Sequence, residues 1–70
     1  MQYKDGRGWL FEARQGAHIS GWSIHCYNPK KKLWWPWPCC SWYGSQKEVE
    51  RQLLRYAKLR GWQKVEAGNA

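Results

Sequence analysis

Seventy residues make one domain at most, with a core so small that burial and chain entropy nearly cancel. Seven tryptophans exclude intrinsic disorder, because disordered chains are poor in aromatics. Twelve Lys and Arg against five Asp and Glu, a net charge of +7, favour polyanionic partners, and no apolar run approaches the about 20 residues a spanning helix needs.

Residues 1–8 are polar, and Lys4-Asp5-Gly6-Arg7-Gly8 reads as a flexible lead-in or turn. Residues 9–14 alternate with period two. Trp9, Phe11 and Ala13 share one face; Leu10, Glu12 and Arg14 share the other. That is a half-buried strand, followed by a turn at Gln15-Gly16-Ala17-His18.

A second strand is expected over residues 19–27. It carries Trp22, Ile24 and Cys26 on one face and Ser23, His25 and Tyr27 on the other. Gly21 marks a bulge or a close approach of neighbouring backbone. Asn28-Pro29 signals the next turn, which puts Lys30, Lys31 and Lys32 at a loop tip. Residues 33–43 are expected as a third strand, with Pro36 and Pro38 in it. Residues two apart direct their amides to the same side, so both missing donors face out from one edge and block further strand addition.

Gly44 breaks that strand, and Ser45-Gln46-Lys47-Glu48 matches a helix capping box. Val49, Leu53, Tyr56, Ala57 and Arg60 follow helical spacing. Leu54 and Leu59 flank the stripe. Gly61 is the expected terminator, with Trp62 folding back on the last turn. The expected fold is α+β: a three-stranded antiparallel sheet packed on one C-terminal helix, βββα. It divides into an arm at 1–8, a domain at 9–62 and a tail at 63–70.

A helix covers one sheet face only. The open face then carries Leu10, Glu12, Arg14, Ser23, His25 and Tyr27. If Trp35 and Trp37 meet the helix, Trp34 faces out with Pro36; a slip of one residue would exchange these sets. Lysines neutralise phosphates, arginines fork onto guanine, and aromatic rings stack on bases. The candidate nucleic-acid contacts are therefore Arg7, Arg14, His25, Tyr27, Lys30, Lys31, Lys32 and Trp34. Two other readings of this face stay open. The aromatics cover a thin sheet under solvated charges, or they form a patch for a protein partner.

Three strands, a basic turn before the third and a capped helix resemble the compact N-terminal DNA-binding domains of tyrosine integrases of phages and conjugative elements. They also resemble the plant ethylene-response-factor domain. The resemblance runs from about Arg7 to Arg60 at the level of architecture. Its local matches are Lys4-Asp5-Gly6-Arg7 before the first strand and the capped helix start from Ser45 to Leu53. It implies that the sheet enters the major groove of duplex DNA, with Arg14, His25, Tyr27 and Trp34 facing the groove and Lys30, Lys31 and Lys32 on phosphate. It also implies an accessory protein of a phage or mobile element. The alternative partner is a host protein, inhibited through the same aromatic face.

Other chemistries have less support. Residues 30–38 alone resemble tryptophan- and proline-rich cationic peptides that act on membranes, but the alternating strands and capped helix indicate a folded domain and no membrane partner. His18, His25, Cys26, Cys39 and Cys40 contain no Cys-x-x-Cys spacing, so no metal or other cofactor is expected. Glu12 beside His25 is a surface pair, and no catalytic cleft is expected in so small a domain. Three cysteines leave an odd thiol after any internal disulfide, and no apolar leader opens the chain. A reducing, cytoplasmic setting is expected.

Overall fold

The computed structural model describes residues 1–17 and 20–65. The expectations for His18, Ile19 and the tail residues 66–70 lie outside the described residues. The strands are β1 (Gln2–Lys4), β2 (Leu10–Gln15), β3 (Trp22–Asn28), β4 (Leu33–Pro36) and β5 (Gln63–Val65), with α1 (Gln46–Arg60) between β4 and β5. They form one sheet in the order β4-β3-β2-β1-β5, antiparallel throughout. The α+β architecture is as expected, but the sheet has five strands where the sequence suggested three.

The two extra strands come from the segments read as an arm and a tail. β1 forms because Asp5 closes a tight turn. One carboxylate oxygen accepts from the Arg7 amide (2.9 Å) and the Trp9 amide (3.0 Å), the other from Arg7 Nη2 (2.8 Å). That turn lays Tyr3 opposite Phe11 and buries it to 6% exposure. β5 forms because Gly61 ends α1 in the left-handed conformation, at φ 70°. Trp62 then stacks on Phe11 with ring centroids 4.0 Å apart and ring planes nearly parallel. The chain leaves Trp62 beside β1, where Gln63 pairs with Lys4 and Val65 with Gln2.

Burial of Asp5 works against its charge, but the hydrogen bonds from Arg7 and Trp9 and the Arg7 charge outweigh it. They hold the carboxyl below its ordinary value of 3.8. A lowered folded value means that the group stabilises the fold fully at neutral pH, and that this contribution disappears as pH falls through the lowered value. Asp5→Ala is expected to cost about 1.5–3 kcal/mol, the range for hydrogen bonds to a charged acceptor. In thermal melts the gap between Asp5→Ala and wild type should narrow in acid.

The helix is built as its sequence reads. Ser45 is the N-cap, and its Oγ accepts from the Glu48 amide at 3.3 Å. Glu48 does not close the other half of the box; it pairs with Arg51 at 3.0 Å. Glu48 in the first turn and Lys58 and Arg60 in the last complement the helix dipole. Val49, Leu53 and Ala57 are buried against Phe11, Ile24 and Cys26, so α1 lies across β2 and β3. Leu54 and Leu59 are exposed. Burial raises the Cys26 thiol above its ordinary value, which keeps it protonated and inert.

The third strand is shorter than expected. β4 ends at Pro36, and Tyr43 returns to β3 as an isolated pair with Trp22. His25 opposite Pro36 and Ile24 bonded to Trp37 set a register that would bring Cys39 opposite Trp22. Tyr43 stands there instead, four residues later. Residues 38–42 form an excursion from the edge. Pro36 itself behaves as an edge proline: Trp37 donates inward to the Ile24 carbonyl at 2.8 Å, so the Pro36 nitrogen faces outward.

Gly21 is the close approach on which this return depends. Its φ is 127°, and a Cβ there would lie 2.9 Å from the Tyr43 carbonyl oxygen. Gly21→Ala combines a left-handed backbone with a clash against backbone. We expect a loss of about 2 kcal/mol or more, read as a lower denaturant midpoint with an unchanged slope.

Candidate nucleic-acid interface

Strand pairing fixes the face opposite α1 row by row. Leu10, Tyr27 and Trp34 are mutual partners across β2, β3 and β4; so are Glu12, His25 and Pro36. Lys4 extends the first row and Gln2 the second. Arg14 stands opposite Ser23. Direct partners in an antiparallel pair share a face, so the face contains the residues that alternation assigned to it.

All seven tryptophans are half-buried. Trp9, Trp22, Trp35, Trp37 and Trp62 pack against the core. Trp34 and Trp42 instead lie on the open face. Trp34 packs on Tyr27, with centroids 5.2 Å apart, and the Arg14 guanidinium lies 4.2 Å above its ring. Arg14 Nε donates to Glu12 at 2.7 Å, and Gln2 donates to the other Glu12 oxygen at 2.8 Å. Glu12 thus positions Arg14 against Trp34 and leaves the terminal guanidinium nitrogens without a hydrogen-bond partner among the described residues.

The β1–β2 and β3–β4 turns lie at the same end of the sheet, because β1 to β4 form consecutive antiparallel neighbours. In the second turn the Asn28 side chain accepts from the Lys30 amide at 2.9 Å, and its carbonyl accepts from the Lys32 amide at 2.8 Å. Lys32 has φ 54°, a left-handed conformation that costs a lysine about 1–2 kcal/mol and glycine little. A charged residue stands where glycine would be more stable. Lys30, Lys31 and Lys32 are exposed, and among the described residues none of them pairs with a carboxylate.

Two expected contacts are not presented on the open face, one because it is covered and one because it lies on the other side. His25 is on the expected face but only 7% exposed. The excursion covers it: Ser23 Oγ donates to the Ser41 carbonyl at 3.0 Å, and Trp42 packs edge-on against the His25 ring at 5.8 Å. His25 therefore cannot reach into a duplex groove. Arg7 is paired with Asp5 and lies 4.1 Å over the Trp9 ring. Trp9 packs on Trp35 and the core, on the helix side, so Arg7 is not part of the open face. Arg14, Tyr27 and Trp34 are brought together, with Lys30, Lys31 and Lys32 at the adjoining turn.

Two residues of the site were not singled out from the sequence. Lys4 is exposed at the end of the aromatic row; the alternation of Gln2, Tyr3 and Lys4 was its only signal. Trp42 reaches the face through the excursion, which has no local signature. Comparison with protein families, curated proteins and solved structures finds no match to this chain. No helix among the described residues is long and apolar enough to cross a membrane. On the helix side, Arg51, Arg55 and Lys58 surround Leu54 and Leu59 as a second basic surface.

Proposed function

We propose that the protein binds nucleic acid through the open sheet face and the β3–β4 turn, with duplex DNA as the favoured partner. The observation that carries this reading is the placement of Lys30, Lys31 and Lys32, together with Lys4, beside the Arg14–Trp34–Tyr27 cluster. Cations for phosphate thus adjoin stacked rings for base or sugar. The resemblance to integrase and ethylene-response-factor domains, which also present a sheet, points the same way and suggests an accessory role in a phage or mobile element.

The width of the sheet sets how a duplex is met. Five strands at about 4.8 Å spacing span about 19 Å between the outer two, whereas the major groove is about 12 Å wide. The whole face cannot enter, but a two-stranded ribbon can. The β3–β4 hairpin is that ribbon, with its lysines at the tip, Trp34 on one strand and no donor at Pro36 on its outer edge.

Fluorescence anisotropy with a labelled duplex tests the reading. Binding should be clear at low salt and fall steeply as salt rises. Absence of binding to any nucleic acid at low salt would overturn it. It would favour a protein partner gripping Trp34, whose affinity would depend far less on salt.

A further inference from the structure

The only two tryptophans that do not pack on the core line the same depression. Trp34 and Trp42 flank a hollow of about 330 Å³ on the open face, with Pro36, His25 and Arg14 also in its wall. That volume lies at the small end of ligand pockets. Nothing in the core requires indoles there, since Trp9, Trp22, Trp35, Trp37 and Trp62 supply the packing.

His25 gives the hollow a polar group. It is more than nine-tenths buried, and its Nδ1 lies 3.1 Å from the Ser23 carbonyl. A carbonyl only accepts, so Nδ1 carries the hydrogen and Nε2 of the neutral ring is an acceptor. Nε2 has no partner among the described residues, and the ring lines the hollow. Arg14, tied to Glu12 through Nε, stands at the same site, and among the described residues its remaining donors have no hydrogen-bond partner.

Resting on the nucleic-acid reading, we propose that this hollow takes one unpaired nucleobase. The base stacks on Trp42, with the Arg14–Trp34 stack as the opposite wall. Its Watson–Crick edge donates to His25 Nε2, and its phosphate meets Arg14. A paired base cannot enter, because that edge is occupied in a duplex. Trp34 and Pro36 would also suit a proline-rich peptide, but the net charge of +7 and the lysine turn favour a polyanion.

The test uses the full chain and four probes. These are a duplex with one bulged 2-aminopurine, the same duplex fully paired, the same duplex with an abasic bulge, and a polyproline peptide. The bulged base should bind about tenfold more tightly than the paired or abasic duplex, within the range for one stacked base, and its fluorescence should be quenched. Trp42→Ala should abolish both effects, so that bulged, abasic and paired duplexes bind alike. Trp42→Leu, which refills the volume without a stacking face, should do the same and guards against collapse of residues 38–42. Equal affinity for base-bearing and abasic bulges, with no quenching, would overturn the inference while the nucleic-acid reading stands. Binding of the peptide alone, or of none of the probes, would overturn both.

Discussion

Phe11→Ala is expected to remove a large part of the protein's stability and to lower its melting temperature sharply. Phe11 is 1% exposed, stacks on Trp62 at 4.0 Å and meets Trp37 edge-on at 5.5 Å. Removing a buried phenyl ring costs about 3–5 kcal/mol. At about 0.05–0.15 kcal/mol per residue, a chain of this length has about 4–10 kcal/mol in total. The loss also reaches beyond the core, because the Phe11–Trp62 stack delivers β5 to β1. On heating, far-ultraviolet circular dichroism and tryptophan emission should report loss of helix and a red shift together. Trp34→Ala is the contrast: Trp34 packs on Tyr27 and Arg14 and not on the core, so its melting temperature should stay within a few degrees of wild type.

Replacing Lys30, Lys31 and Lys32 together with alanine is expected to have the largest effect on binding. Taking one lysine off a phosphate lowers the slope of log affinity against log salt by about 0.9 on duplex DNA. If all three lysines lie on phosphates, the slope should flatten by about 2 to 3, and affinity at low salt should fall by orders of magnitude. Stability should not suffer, because the three side chains are exposed and pair with no carboxylate among the described residues. It should rise slightly if glycine replaces Lys32, whose φ is 54°. Trp34→Ala should act differently, lowering affinity about five- to a hundredfold by removing a stacking face without changing the salt slope. Affinity that falls with Trp34 and ignores the lysines would favour a protein partner.

These contrasts rest on a division between faces that was readable in the sequence. Alternation over β2 and β3 placed Phe11 and Ile24 towards the helix and Arg14 and Tyr27 away from it, because period two has only two answers. The edge position of Pro36 was readable separately, because a proline nitrogen cannot donate to a neighbouring strand. Ser45, the Val49–Leu53–Ala57 stripe and Gly61 specified α1 from local chemistry alone.

What was not legible is non-local. β1 and β5 have three residues each, too few for a periodic signal, and they exist because Asp5 and Trp62 bring them to partners far along the chain. The excursion at residues 38–42 interrupts a segment that reads as one strand. Ser23 to Ser41, Tyr56 to the Cys39 carbonyl and Trp22 to Tyr43 hold it in place. Those interactions move Trp42 over His25. One loop thus removed an expected contact residue and created the hollow beside it.

We propose that the open sheet face and the β3–β4 turn meet nucleic acid. A titration of the ¹⁵N-labelled protein with a short duplex at low salt, followed by backbone amide shifts, tests it most directly. The shifts should concentrate on Leu10, Glu12, Arg14 and Tyr27 and on the turn from Asn28 to Trp34, with α1 unmoved. Shifts centred on Arg51, Arg55 and Lys58, or no shifts at all, would contradict it.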